Sequence, residues 1–234
     1  MKPLKKIFSF LAAAAVLCAA PVEFRASIEY CRVIDVSGKA EILESGGQRW
    51  VPLSVSKFLK GGDKIRTAEK SYAEISTSPD FSGLLKLGGD SELEIIGDDL
   101  ARFFLRGGAL FVLREEDSNV PGKHTREEAL FQIFTKDMSI SFLQGGCLIG
   151  AFEKGSWVRV FSEHAKVGPF RPGKEKEDFK IVREGFKYFM TDSKKAGVSG
   201  PIRMHYPDYI EWQYWMKKCY DRKDARAQGA LVTR

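Results

Sequence analysis

Residues 61–114 restrict the fold more than any other part of the chain, because short segments there alternate apolar and polar residues and are separated by glycines. Lys64-Ile65-Arg66-Thr67 follows Gly61-Gly62-Asp63, and Tyr72-Ala73-Glu74-Ile75-Ser76 comes next. Leu84-Leu85-Lys86-Leu87 and Glu92-Leu93-Glu94-Ile95 flank Gly88-Gly89. A last pair, residues 102–105 and 109–113, flanks Gly107-Gly108. A period of two gives a strand one packed face and one wetted face, and glycine marks the turns between strands. The stretch therefore demands a β-sheet.

The same texture extends on both sides. Residues 27–36 read as the opening strand, with a turn at Ser37-Gly38, and the segment 54–59 reads as a short irregular or helical link. Beyond a polar loop at 114–128, strand patterning resumes at 130–134, 139–142, 147–149 and 157–161. Many short strands with glycine turns predict a mainly β chain, an antiparallel sandwich or jelly-roll-like fold. From Gly168 onward the chain predicts a hairpin turning at Glu184-Gly185 and one amphipathic helix over 207–224. Tyr209, Trp212, Met216 and Cys219 form its apolar stripe, and Lys217, Lys218, Arg222 and Lys223 sit near its C-terminal end, where the helix dipole favours cations. The expected organisation is a signal peptide or N-terminal anchor at 1–26, a β domain at 27–168, and a small C-terminal α/β appendage at 169–234.

Lys2, Lys5 and Lys6 precede an uncharged run of fourteen residues, Ile7 to Ala20. A basic start followed by a short apolar run reads as an export signal and is short for a membrane span. The chain is thus expected in the periplasm or another extracytoplasmic space, with membrane attachment only if this segment is retained. Beyond it the charge is uneven: residues 21–163 hold 18 Lys/Arg and 22 Asp/Glu, whereas 164–234 hold 16 and 9. The basic residues are interspersed with acids, which describes a solvated surface, and nothing resembles a nucleic-acid reader. Cys31, Cys147 and Cys219 allow one disulfide and a leftover thiol, or three buried thiols.

Quoted in order, Val36-Ser37-Gly38, Leu59-Lys60-Gly61-Gly62-Asp63-Lys64-Ile65-Arg66-Thr67, Tyr72-Ala73-Glu74-Ile75 and Leu85-Lys86-Leu87-Gly88-Gly89-Asp90-Ser91-Glu92-Leu93-Glu94-Ile95 resemble the FecR domain family, an extracytoplasmic β domain of bacterial envelopes. Leu105-Arg106-Gly107-Gly108-Ala109-Leu110 and Phe131-Gln132-Ile133-Phe134-Thr135 extend the resemblance, which covers about residues 33–167. The Gly-Asp-x-Ile-x-Thr segment is its most specific element. The chain departs from the family at Ala68, where Gly is usual, and at Gly146-Cys147, where Gly-Thr is usual. Signalling members resembling the iron-citrate regulator carry a cytoplasmic sigma-factor-binding segment before a membrane span. Only six residues precede the apolar run here, so direct sigma-factor control is not expected.

Catalytic patterns are sparse. Ser54-Val55-Ser56-Lys57 fits Ser-x-x-Lys without a supporting Lys-Thr-Gly, and Pro121-Gly122-Lys123-His124-Thr125 lacks the first glycine of a phosphate loop and the Ser/Thr directly after its Lys. Cys147 with His164 would supply a thiol and a base, yet Cys147 reads as the start of a buried strand. His124, His164 and His205 show no metal-ligand spacing. Asp98-Asp99 and Glu115-Glu116-Asp117 lack the spacing of a calcium loop. The expectation is a non-catalytic chain without cofactor or metal. It would act as a protein-interaction or sensory module through a sheet face or the loop beginning Glu115, Glu116, Asp117. The alternative is a cell-wall or polysaccharide-binding module using aromatics off the helix stripe, Tyr214 and Trp215.

Overall fold

The computed structural model describes residues 31–79, 81–97, 102–115, 131–170, 179–191 and 200–227. The mainly β expectation holds. Among the described residues fifteen strands lie in two facing sheets, and one helix covers the outer side of one of them. In chain order the strands are β1 (Arg32–Ser37), β2 (Ala40–Leu43), β3 (Val51–Pro52), β4 (Lys64–Thr67), β5 (Tyr72–Ser76), β6 (Gly83–Leu87), β7 (Glu92–Ile95) and β8 (Arg102–Arg114). They continue as β9 (Phe131–Phe134), β10 (Met138–Phe142), β11 (Gly145–Phe152), β12 (Gly155–Pro169), β13 (Lys180–Arg183), β14 (Phe186–Met190) and β15 (Ile202–Arg203). A 3-10 turn (Tyr206–Tyr209) leads into α1 (Ile210–Ala227).

Sheet A runs β1-β5-β6-β8-β11-β12-β14-β15, and sheet B runs β3-β2-β4-β7-β8-β9-β10-β12-β13. Two long strands belong to both. β8 pairs with β7 and β9 in its first half and with β6 and β11 in its second. β12 passes from β11 and β14 to β10 and β13. Each changes sheet at a bulge. Opposite β7 the register slips past Arg106, and Gly108 follows at φ +84°. Opposite β11 it slips past Phe161, and Glu163 follows at φ +61°. A bulge bends its strand and adds twist, which is how a strand turns the corner between two packed sheets.

Gly107-Gly108 therefore bends one thirteen-residue strand rather than separating two, as the sequence had suggested. The ladder also contains one parallel pair, with Arg102, Phe103 and Phe104 beside Gln132, Ile133 and Phe134, in an otherwise antiparallel set. The hairpin expected at Glu184-Gly185 does not form. β13 and β14 run on in one direction, both antiparallel to β12, β13 along its second half in sheet B and β14 along its first half in sheet A. Glu184-Gly185 thus marks the step between sheets rather than a reversal of the chain.

The core lies between the sheets, where Ile65, Leu85, Leu93, Leu105, Ile133 and Val158 are fully buried. Each such side chain contributes about 1.5–3 kcal/mol relative to exposure. The Gly-Asp-x-Ile-x-Thr segment is a structural device within this frame. Asp63, itself buried, accepts the backbone N–H of Ser45 at 2.8 Å and of Lys60 at 3.0 Å. Ile65 enters the core, and Thr67 Oγ1 donates to the Gly88 carbonyl while accepting the N–H of Ser91. These bonds satisfy loop groups that burial would otherwise leave unpaired.

Candidate interaction surface

Sheet A is unusual in being apolar on both faces. Leu84, Phe111, Leu113, Leu148 and Phe161 point away from the core and form a second cluster with Met204, Trp212, Trp215 and Cys219. An outward apolar face must be covered, and α1 covers it. The Trp212 ring stacks on Phe161 at 4.6 Å and 8° and lies over Gly146, where a Cβ would overlap Trp212 Cη2. Trp215 sits beside Phe111, with ring centroids 5.5 Å apart.

The far end of α1 is fastened by charge. Lys218 Nζ donates to Asp35 Oδ2 at 2.8 Å, the Tyr72 hydroxyl at 2.9 Å and Glu74 Oε1 at 3.1 Å. Arg222 reaches both carboxylates as well. Glu74 is 1% exposed, and both cations bond its carboxyl group. Burial alone pushes the Asp35 carboxyl upward, but the bonds from Lys218 and Tyr72 and the charge of Arg222 hold it below the ordinary range. Burial likewise disfavours the Lys218 ammonium, yet Asp35, Tyr72 and Glu74 raise its pKa above the usual lysine value.

At the other end of α1 an uncovered surface begins. Asp208 holds both Lys187 at 3.0 Å and Arg159 at 3.3 Å, and the Arg159 guanidinium lies 4.6 Å from the centroid of Trp157. Phe189 is in register with Trp157 across β12 and β14, and Phe152 lies beside it with ring centroids 6.3 Å apart. Phe152, Phe189 and Ile202 are exposed, as are Tyr206 in the 3-10 turn and Ile210 and Tyr214 on the helix.

The two helix residues singled out from sequence part company. Tyr214 is 74% exposed, whereas Trp215 is 2% exposed beneath the helix. Trp212, Trp215 and Cys219 stand at i, i+3 and i+7 and face one way, so Trp215 belongs to the buried stripe and cannot serve as a free contact. Met216, expected on that stripe, is half-buried at its flank. Glu115 joins the fold through its N–H, which donates to the Ser82 carbonyl at 2.7 Å. Glu116, Asp117 and the rest of that loop lie outside the described residues, as do Asp98, Asp99 and His124. The Phe152–Trp157–Phe189 strip has no clear signal in the sequence, since Phe152 borders a turn and Trp157 and Phe189 read as ordinary strand residues.

The remaining chemical candidates are held apart. Cys147 is buried opposite Val160, and burial drives its thiol far above the ordinary range, whereas His164 is exposed beside Arg183. Lys57 is bound to Glu44, whose hydrogen bond raises the Lys57 pKa and keeps it protonated, the wrong state for a base beside Ser54. A cleft of about 670 Å³ where β12 changes sheet is lined by Glu163, His164, Arg183, Glu184 and Tyr209, residues of mixed charge. Among the described residues no group of three or more His, Cys, Asp or Glu is placed to hold a metal ion, and no helix is long and apolar enough to cross a membrane.

No family model and no curated protein matches this chain. Two solved structures of a proposed anti-sigma factor from Parabacteroides distasonis are similar to it at 12% identity, with TM-scores of 0.47 and 0.46. Each similarity covers 64% of this chain, and 64% and 63% of those chains, respectively.

Proposed function

We propose that this chain is an exported, non-catalytic, FecR-like module of the bacterial envelope that works by binding another protein. The observation that carries the reading is the surface around Asp208, where Arg159 links the Trp157 ring of sheet A to the turn that leads into α1, with Phe152 and Phe189 exposed on the sheet and Tyr206, Ile210 and Tyr214 exposed on the turn and helix. Protein interfaces concentrate aromatic residues and arginine at their centres, and Trp, Tyr and Arg dominate their energetic hot spots. Here those residue types lie on a sheet face and on the turn and helix joined to it through Asp208, both rigid supports.

A polysaccharide site needs aromatic faces open to a sugar ring. Trp212 and Trp215 are buried, Trp157 lies over Gly150 and beneath Arg159, and Trp50 carries the Arg66 guanidinium 4.2 Å from its centroid. A sugar would be left with the exposed tyrosines alone, whereas aromatic residues set beside a bound arginine favour a protein ligand. Affinity capture from envelope extract with the full chain as bait, reading proteins and glycans separately, tests the choice. One discrete protein, lost from the Tyr206→Ala/Tyr214→Ala double variant, is the expected result. Capture of peptidoglycan or polysaccharide by the same tyrosines would overturn it.

A further inference from the structure

Residues 49–60, Arg-Trp-Val-Pro-Leu-Ser-Val-Ser-Lys-Phe-Leu-Lys, contain no acidic residue. In the fold this stretch forms a rim joining the open edges of both sheets. It begins at β3, the edge of sheet B, and ends alongside β1, the edge of sheet A. There Val33 N–H donates to Lys57 O at 2.9 Å, Ser56 N–H to Val33 O at 2.8 Å and Leu59 N–H to Cys31 O at 2.8 Å. Leu53 and Leu59 are buried and pin the rim, while Val51, Val55 and Phe58 are 44%, 52% and 58% exposed. Arg49 and Lys60 are exposed at its two ends, Lys57 within it is paired with Glu44, and Arg32 lies 5.5 Å from the centroid of the Phe58 ring.

Exposed apolar side chains interleaved with cations and backed by a tryptophan match the chemistry of an anionic lipid surface, which takes apolar groups at its headgroup boundary and attracts each nearby cation. The place on the fold agrees. The chain enters the described structure at Cys31, whose carbonyl is bound by this rim. The apolar run ending at Ala20 is only eleven positions earlier in the sequence, a reach of at most about 40 Å when extended.

We infer that the rim at residues 49–60 rests on an anionic phospholipid bilayer, holding the domain in one orientation with the aromatic surface around Asp208 free for a partner. This rests on the export reading, with the N-terminal run retained in the membrane.

The test uses the full chain carrying Val55→Cys labelled with an environment-sensitive dye, against vesicles containing brominated lipids. Vesicles of phosphatidylcholine alone are compared with an equimolar mixture with phosphatidylglycerol. Flotation shows whether the chain is retained, and quenching of the dye shows whether the rim touches lipid. The expected result is flotation, with quenching in the mixed vesicles that high salt removes. Arg49→Glu with Lys60→Glu, two exposed positions, should lower quenching to its level on phosphatidylcholine alone. Flotation with no more quenching at residue 55 than for the same dye at Tyr214→Cys would overturn the rim while leaving export untouched. Failure to float would overturn the retained run. Shielding of residue 55 without lipid, by a second copy of the chain, would make the rim a protein contact and overturn the inference.

Discussion

Lys218 Nζ lies 2.8 Å from Asp35 Oδ2, so the last helix grips the first strand of the fold across 183 positions of sequence. The pair has a defined pH window. Asp35 titrates below its ordinary value of 3.8, so its contribution to stability is complete above 3.8 and is lost as pH falls through the folded value. Lys218 titrates above its ordinary 10.5, so its contribution is complete below 10.5 and is lost as pH rises through the folded value. Thermal unfolding of wild type and Asp35→Asn across acid pH should show the wild-type advantage shrinking below 3.8 until the two curves approach one another. A constant gap throughout would mean the carboxylate charge is not what holds the helix.

Glu74 is the more sensitive member of the same network because its side chain has almost no water. Glu74→Ala leaves Lys218 and Arg222 facing each other without their buried partner. Breaking a buried pair costs about 3–5 kcal/mol, and the partial exposure of Lys218 reduces the expected loss to about 2–3 kcal/mol. Urea unfolding measures it directly, and a loss under about 0.5 kcal/mol, the scale of an ordinary surface change, would place the network outside the folding energetics.

At the opposite end of the helix the contact is steric. Gly146 leaves room for the Trp212 ring, and any Cβ there overlaps it. Gly146→Ala should lift the helix from sheet A, at about 1–3 kcal/mol for overpacking a filled site. Near-ultraviolet circular dichroism from Trp212 and Trp215 should weaken while the far-ultraviolet strand signal stays. An unchanged aromatic signal would show that the helix accommodates the methyl group.

Gly146 illustrates what could be read before folding and what could not. Alternation identified the strands and their core-facing residues, because period two fixes which side chains share a face. Gly107-Gly108 misled because the same dipeptide serves a turn or a bulge, and only pairing to β7 and β11 decides between them. Trp215 was within reach: its spacing from Trp212 and Cys219 already completes one helix face. The strip of Phe152, Trp157 and Phe189 was not, since it depends on which rows of sheet A the helix leaves bare. The salt links from Asp35 and Glu74 to Lys218 and Arg222 join distant segments and leave no local pattern.

Burial also sets the reactivity of the cysteines. Cys31, Cys147 and Cys219 are all buried, and desolvation, aided by the charge of Asp63, pushes the Cys31 thiol up to about 12. At Cys31 and Cys147 thiolate, the reactive form, is therefore scarce at neutral pH even where a reagent reaches the sulfur. Iodoacetamide should modify the described cysteines of the native chain far more slowly than those of the chain in guanidinium. Rapid native labelling of Cys147 would reopen its pairing with a base.

Tyr214 and Trp215 are neighbours with opposite roles, which separates binding from folding. Trp215 packs on Phe111 and Trp212, although its Nε1–H has no partner among the described residues. Trp215→Ala removes a buried indole from this layer and should cost about 3–5 kcal/mol, with loss of the helix. Tyr214 faces solvent, so Tyr214→Ala should change stability by less than about 0.5 kcal/mol. If the surface around Asp208 binds a protein, Tyr214→Ala should nonetheless weaken capture of that partner, by about tenfold or more for a hot-spot residue. Urea unfolding and capture on the same two variants give four values. Stability lost only with Trp215, together with capture lost at unchanged stability with Tyr214, is the pattern that the exposed stripe requires. Full capture by Tyr214→Ala would move the contact off the helix and onto the Phe152–Phe189 strip.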